Sequence, residues 1–165
     1  MITCVNVHIK QGHFSIENIS ITIEKETYVV LMGKTGSGKT ALLEAICGLK
    51  PIQEGQILLD NIDVSNFAPG ERGIGYVPQD GALFTTMTVA QNLFLGQEHY
   101  FNRLRGIYIA AQQFMQSLQF DVDPTAQVSL LGAAKKQMVE IARAVLHKAR
   151  VIIFDEPTAS LTPEE

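Results

Sequence analysis

Residues 33–40 have the types and spacing of a loop that binds phosphate. They read GKTGSGKT, which fits the pattern G-x-x-x-x-G-K-[ST]. An apolar run, YVVLM at residues 28–32, precedes them, and a segment with helical apolar spacing, ALLEAICGL, follows. Glycines let such a loop curl so that successive backbone N–H groups point at phosphate oxygens, and the helix that begins here adds its positive end. The pattern predicts a strand, a phosphate-binding loop and a helix.

The side chains of this loop have chemistry of their own. Lys39 would bring a positive charge to the β- and γ-phosphates of a nucleotide, and the Thr40 hydroxyl would bind Mg²⁺. The alternative is a flexible glycine turn with a solvated lysine. The predicted nucleotide-binding residues here are Gly33, Lys34, Thr35, Gly36, Ser37, Gly38, Lys39, Thr40 and Ala41.

A second candidate group lies at the end of the run VIIFDE, residues 151–156. The apolar part predicts a buried strand whose C-terminal end presents two carboxylates, at the edge where ligands of such sheets bind. Asp155 would hold Mg²⁺ through its water shell, and Glu156 would orient or deprotonate an attacking water. The alternative is a solvated strand end.

The elements that would position these residues alternate between strand and helix patterns, which indicates an α/β fold with a mostly parallel sheet covered by helices. A long helical stretch in the middle, with a break near residues 103–106, predicts a helical insert. The predicted strands are residues 15–23, 28–32, 56–60, 73–77 and 151–154, and the predicted helices are 40–47, 89–118 and 135–148.

Composition limits the class of protein. The length of 165 residues favours one domain, and a net charge of −4 argues against nucleic acid as the main partner. Cys4 and Cys47 have neither a metal pattern nor a paired spacing, which favours a reduced compartment. No apolar run approaches the roughly 20 residues that span a bilayer. Any work at a membrane would therefore need a membrane-embedded partner.

Several further motifs, in order along the chain, carry a resemblance. They are YVPQD at residues 76–80, TMTVAQNLFLG at 86–96, QMVEIARAV at 137–145 and IIFDEPTASLTPEE at 152–165. Together with GKTGSGKT, they resemble the ATP-binding subunit of ABC transporters. The resemblance implies a P-loop NTPase core with an N-terminal antiparallel β subdomain and a helical insert. It also implies a nucleotide-binding core at residues 1–84 and 136–165 and a helical subdomain at 85–135.

The resemblance assigns roles to single residues. Gln79 corresponds to the glutamine that touches Mg²⁺ and the attacking water, although residue chemistry alone favours an ordinary polar strand end. Phe14 lies where the family has an aromatic ring that stacks on adenine, although a core position is the alternative. Residues 159–162 correspond to a loop that crosses to a second subunit. Residues 83–95 correspond to the surface that receives a short permease helix.

Two departures from the family pattern stand out. The signature, commonly LSGGQ, is LGAAK at residues 131–135, so Gly132 replaces the serine that would meet the γ-phosphate held by the partner subunit. Backbone N–H groups and Lys135 would offset part of that loss, or Lys135 is simply solvated. The chain also ends at Glu165, before the family's switch histidine. His8, His13, His99 and His147 all lie too early to serve as that histidine, so we expect a C-terminally incomplete domain of low stability.

The resemblance implies ATP hydrolysis with Mg²⁺ that powers import by a membrane transporter. The implied partners are a second ATP-binding subunit, in a homodimer, transmembrane permease subunits and an extracytoplasmic substrate-binding protein, at the cytoplasmic face of the membrane. The first half of the chain resembles importers of molybdate or tungstate, and the second half resembles sugar importers. One alternative is a degenerate or regulatory subunit that binds ATP but hydrolyses it poorly. Another is a soluble kinase or GTPase, which residues 76–80 disfavour.

Overall fold

The structure, a computed structural model, describes residues 1–79, 81–101 and 104–155. The chain divides into two units, Met1–Ile74 and Gly75–Glu165. The first unit contains β1 (Ile2–Gln11), β2 (Phe14–Ile23), α1 (Lys39–Cys47), β3 (Glu54–Leu59) and β4 (Ile62–Asp63). The next strand, β5 (Ile74–Val77), begins at the boundary. It is followed by α2 (Val89–Leu93), α3 (Leu104–Ser117), α4 (Ala133–Leu146) and β6 (Val151–Phe154). Short 3₁₀ turns occupy Pro69–Glu71, Glu98–Tyr100 and Val128–Leu130.

The sheet of the first unit has the order β2-β1-β3-β4, with antiparallel ladders between neighbours. Side chains of β1 are buried at Ile2 and Cys4 and then at Val7 and Ile9. Strict alternation would turn Val7 away from the core, but the register shifts between Cys4 and Val7, where Asn6 adopts a positive φ of 48°. The bulge therefore keeps both halves of a ten-residue strand facing the core. Helix α1 adds buried Leu42, Ala45 and Ile46.

One predicted strand is wrong. Residues 28–32 lie outside the named strands, and their side chains are exposed, with Tyr28 at 91% and Met32 at 85%. Apolar character is visible in a sequence, but a strand exists only when a neighbour supplies backbone hydrogen bonds. Among the described residues, no ladder includes this segment.

Helix α1 is anchored at its C-terminal end by a buried arginine. The Arg72 guanidinium donates to the carbonyl oxygens of Ala45 and Ile46, both at 2.9 Å. It also donates to those of Ser65 and Phe67, at 3.0 and 3.1 Å. Gly48 ends the helix at φ 82°, as predicted, and a Cβ there would lie 2.6 Å from Arg72 Nε. The cation satisfies carbonyls at the negative end of α1.

The second unit is mainly helical. Residues from α2, α3 and α4 share one apolar core that includes Leu93, Ile107, Met115 and Val139. The predicted helical stretch 89–118 is confirmed in its helical character, but α2 ends at Leu93, earlier than the predicted break. Within the described ranges, no helix has both the length and the apolar composition to cross a bilayer.

The sheet of this unit consists of β5 and β6 within the described residues. Both strands lie close to their predicted positions, and β6 coincides with its prediction. The antiparallel sheet of the first unit agrees with the expected N-terminal β subdomain. The mostly parallel sheet remains a prediction.

Candidate functional site

The predicted phosphate loop connects an exposed segment to the first turn of α1. Residues 33–37 are exposed, and α1 begins at Lys39. Gly36 and Gly38 have φ values of 78° and 91°, a region that glycine adopts without strain. Gly38 is the N-cap of α1 and offers no side-chain oxygen. No capping oxygen of Gly38 therefore competes with a ligand for the first amides of the helix.

The Lys39 ammonium lies over the start of the loop. Its Nζ donates to the carbonyl oxygens of Gly33 and Lys34, at 3.0 and 3.2 Å. The Ser37 amide donates to the same Lys34 carbonyl at 3.1 Å, which closes the turn. The loop thus holds a cation in place by its own backbone, at the position where the sequence predicts a phosphate contact.

Two glycines of the loop lie close to neighbouring side chains, and Gly38 also has a φ of 91° that strains any other residue. A Cβ at Gly33 would lie 2.8 Å from Ser37 Oγ, and a Cβ at Gly38 would lie 2.3 Å from Ile16 Cδ1. The Ser37 hydroxyl can rotate away from a side chain at residue 33, whereas a side chain at residue 38 would also strain the backbone. Backbone amides, the Lys39 ammonium and the exposed Thr40 hydroxyl are the donor set that a triphosphate with Mg²⁺ requires, so the residues present fit this ligand.

Phe14 is brought to the loop by the sheet. It is the first residue of β2, and its Cζ lies 2.9 Å from the position of a Cβ on Gly38. Its side chain is 37% exposed, so the alternative of a core residue is wrong. A partly exposed ring beside a phosphate loop is placed where it can stack on a base. That role stays a prediction.

Asp155 lies directly after β6 and is almost fully buried, with 3% of its surface exposed. Tyr76 Oη donates to Asp155 Oδ2 at 3.1 Å, and the Asp155 amide donates to the Val77 carbonyl at 3.0 Å. The alternative of a solvated strand end therefore fails for Asp155. Tyr76 was not singled out from the sequence, although it opens the motif YVPQD. Glu156 and the loop 159–162 lie outside the described residues.

Gln79 is exposed in a turn that follows β5. The Gly81 amide donates to the Pro78 carbonyl at 3.4 Å, and Gly81 has φ 75°, while Asp80 lies outside the described residues. Two contacts that sequence reasoning missed hold the chain just beyond this turn. The Ala82 amide donates to Glu140 Oε1 at 2.6 Å, and Arg143 Nη1 donates to the Ala82 carbonyl at 3.2 Å. Their spacing of three residues within QMVEIARAV was the available signal.

Gly132 is the exposed N-cap of α4, and it contributes no side-chain cap. Its carbonyl accepts a hydrogen bond from the Lys136 amide at 3.1 Å, so the helix is formed from its first turn. Lys135 is exposed in that turn. The backbone amides expected to replace the missing serine hydroxyl are present at a helix start, and their contact with a nucleotide remains a prediction.

A comparison with known protein families identifies the family of this chain. The sequence pattern of the ABC transporter family, described as "ABC transporter", matches residues 16–159. This chain belongs to the ABC transporter family. Membership confirms the predicted ATP-binding cassette and excludes the soluble kinase and GTPase alternatives.

Relatives in this family include sugar import proteins. The xylose import ATP-binding protein of Histophilus somni is 36% identical over 159 residues, which are 92% of this chain and 32% of that protein. A putative ribose/galactose/methyl galactoside import ATP-binding protein of Geobacillus kaustophilus is 32% identical over 162 residues, 93% of this chain and 32% of that protein. The chain thus spans about a third of the length of these relatives.

Solved structures agree on the fold. An ATP-binding cassette dimer in a post-hydrolysis state, bound to ADP and phosphate, matches with a TM-score of 0.80 and 25% identity, over 99% of this chain and 77% of that one. A nucleotide-free cassette from an ABC transporter matches with a TM-score of 0.84 over 99% of this chain and 72% of that one. Its 23% identity shows the fold alone.

Proposed function

We propose that this chain binds and hydrolyses ATP to power a membrane importer, and that the imported substrate is a sugar. The observation that carries the proposal is the Lys39 ammonium, held at 3.0 and 3.2 Å by loop carbonyls, in a loop whose Gly38 has a φ of 91° and lies against Ile16 and Phe14. The names of the xylose and ribose/galactose import relatives support the sugar class. The likeness of the first half to molybdate and tungstate importers remains the competing prediction.

The residues present divide the chemistry between them. The loop amides and Lys39 would bind the phosphates, Phe14 would stack on adenine, and Thr40 would hold Mg²⁺. Bound Mg²⁺ neutralises the charge that develops on the transferred phosphoryl group. Asp155, oriented by the Tyr76 hydroxyl at 3.1 Å, would accept hydrogen bonds from waters of the metal. Gln79 and Glu156 would orient the attacking water.

The assembly we propose follows from the same parts. Two copies would form a homodimer, in which the start of α4 at Gly132 meets the nucleotide of the partner. A dimeric cassette among the solved structures supports this arrangement. Permease subunits would receive the energy through residues 83–95, with the chain peripheral at the cytoplasmic face. A substrate-binding protein would deliver the substrate. The core at 1–84 and 136–165, the helical subdomain at 85–135 and the mostly parallel sheet belong to this proposal.

ATP turnover by the full-length protein, reconstituted with its permease in vesicles, tests the proposal. Lys39→Ala removes the ammonium and should weaken Mg·ATP binding about 100-fold or more, because a charge-assisted contact to phosphate is lost. Glu156→Gln should keep the binding of ATP and abolish turnover. Lys10→Ala, an exposed lysine on β1, is the matched control for charge.

Each result has a defined meaning. Unchanged turnover in both variants would refute the assignment. If the unaltered protein binds ATP without any turnover beside its permease, it is the degenerate subunit instead. The lost serine hydroxyl would then be decisive, since one hydrogen bond to a charged phosphate contributes about 1.5–3 kcal/mol.

A further inference from the structure

Both backbone polar groups of Ala82 are hydrogen-bonded to side chains of α4. Its amide donates to Glu140 Oε1 at 2.6 Å, and its carbonyl accepts from Arg143 Nη1 at 3.2 Å. Glu140 and Arg143 are three residues apart on α4, so both side chains leave the same side of the helix. Holding the donor and the acceptor of one residue fixes the position and the orientation of that residue. Ala82 lies three residues after Gln79.

A second helix holds the next part of the segment in the same way. Asn92 of α2 accepts from the Phe84 amide at 2.8 Å and donates to the Phe84 carbonyl at 3.0 Å. Asn92 is fully buried, whereas Glu140 and Arg143 are only partly covered. Asn92 therefore serves the stability of the core. The contacts of Glu140 and Arg143 lie near solvent, where water can replace a lost hydrogen bond at a small cost in folding free energy.

The turn that carries Gln79 is also fixed on its other side. The Val77 carbonyl accepts from the Asp155 amide at 3.0 Å, and the Gly81 amide closes the turn on Pro78. Gln79 thus lies between an anchor at the end of β6 and an anchor on α4. Its own side chain is exposed, so the two anchors determine where it can reach.

We propose that Glu140 and Arg143 are positioning residues for Gln79, which tie its turn to α4, the helix that begins at Gly132. The inference rests on the proposed function, in which Gln79 contacts the attacking water. A group that orients a reacting water must be held closely, because a misplacement of about 1 Å can cost about 100-fold in rate. Loss of either anchor should therefore lower turnover while ATP binding, which depends on the first unit, stays the same.

The test is a double-mutant cycle in the full-length protein with its permease. Glu140→Ala should lower kcat about 10-fold or more, with the Kd for Mg·ATP and the melting temperature nearly unchanged. Glu140→Gln keeps an oxygen that can accept from the Ala82 amide and should retain most of the turnover. Gln112→Ala, exposed on α3, is the control for a helix-surface substitution. In a Gln79→Ala background, Glu140→Ala should cause no further loss, because the residue it positions is gone.

Several results would overturn the inference. An unchanged turnover in Glu140→Ala or in Gln79→Ala would contradict it. So would a double variant in which the two losses of turnover multiply, because the residues would then act independently. If Glu140→Ala does not fold, Arg143→Met removes the other contact to Ala82 and must show the same loss and the same dependence on Gln79. Failure of the proposed function is distinguishable, because the unaltered protein would then either not bind Mg·ATP or bind it without turnover beside its permease.

Discussion

The phosphate loop and the Gln79–Asp155 region are built in opposite ways. In the loop, Lys39 reaches carbonyls only six and five residues earlier in the chain. In the second region, Tyr76 reaches Asp155 across 79 positions, and Ala82 reaches Glu140 across 58. The loop thus holds its ammonium by local contacts, with Ile16 and Phe14 as more distant neighbours of Gly38, whereas the second region exists only once distant elements have packed.

This difference separates the two kinds of damage that substitutions should cause. A change in the loop alters a self-contained binding site and should affect nucleotide affinity first. Under the proposed function, a change in the second region alters the placement of Gln79 or Asp155 and should affect turnover first. The following predictions test that separation, in decreasing order of expected effect.

Gly38→Ala should lower the affinity for nucleotide about 100-fold or more, because a strained and displaced loop no longer points its backbone amides at the phosphates. The added Cβ would meet Ile16 and Phe14, and φ at this position is 91°. Titration with a fluorescent ATP analogue measures the loss. Gly70→Ala is the control, since a Cβ there meets nothing within 4 Å and its φ is not positive. Equal affinity in the two variants would contradict a glycine-shaped cradle.

Asp155→Asn should lower turnover about 100-fold, because removing one preorganised charged group from a phosphoryl-transfer site costs several kcal/mol. The amide oxygen can still accept from Tyr76, so the fold should be preserved. Steady-state hydrolysis over a range of Mg²⁺ concentrations measures the effect, with the exposed Asp121→Asn as control. If Asp155→Asn instead lowers the affinity for metal-free ATP and leaves turnover unchanged, the two regions do not divide binding and turnover between them.

Arg72→Ala should lower the free energy of unfolding by about 3 kcal/mol, because four carbonyl oxygens lose a charged donor in a covered site. Arg72 is 6% exposed. Denaturant unfolding of the full-length protein measures the change, and Arg105→Ala, exposed on α3, is the control. This arginine also shows that the helix after the local loop is held by a contact that is distant in sequence. A change below about 1 kcal/mol would mean that water replaces the guanidinium.

The smallest effect concerns pH. Burial raises the pKa of Glu140 above its ordinary value of 4.5, against the opposing effects of the Ala82 hydrogen bond and the Arg143 charge. The folded chain then binds this proton more tightly than the unfolded chain, so the contribution to stability is full below pH 4.5 and is lost as pH rises through the folded pKa. Glu140→Gln lacks this loss. The free energy of unfolding of Glu140→Gln, relative to that of the unaltered protein, should rise between acid and neutral pH. A fall would mean that folding lowers the pKa of Glu140 instead of raising it.

What could be predicted from the sequence follows the same division. The loop and α1 with its Gly48 cap depend mainly on neighbours in sequence, and both were predicted. Strand β6 was predicted from its apolar run, although it pairs with the distant β5. Gly33 and Gly38 were expected to bend the backbone, although their close contacts with Ser37 and Ile16 were visible only in three dimensions.

The misses have long-range causes. The run at 28–32 has the composition of a buried strand, but composition does not supply a pairing partner. Strand β1 was not predicted, since its bulge at Asn6 breaks the alternation that reveals a strand. Glu140 and Arg143 were not singled out, because their spacing of three residues indicates only a shared side of a helix, and nothing local indicates that Ala82 lies against them.

The most direct measurement is the calorimetric titration of Mg·ATP into the folded full-length protein and its Lys39→Ala variant. We expect saturable binding to the site at residues 33–40 of the unaltered protein and a Kd about 100-fold higher in the variant, whose loop lacks the ammonium. Folded protein that takes up no Mg·ATP, or a variant that binds as tightly as the unaltered protein, would contradict it.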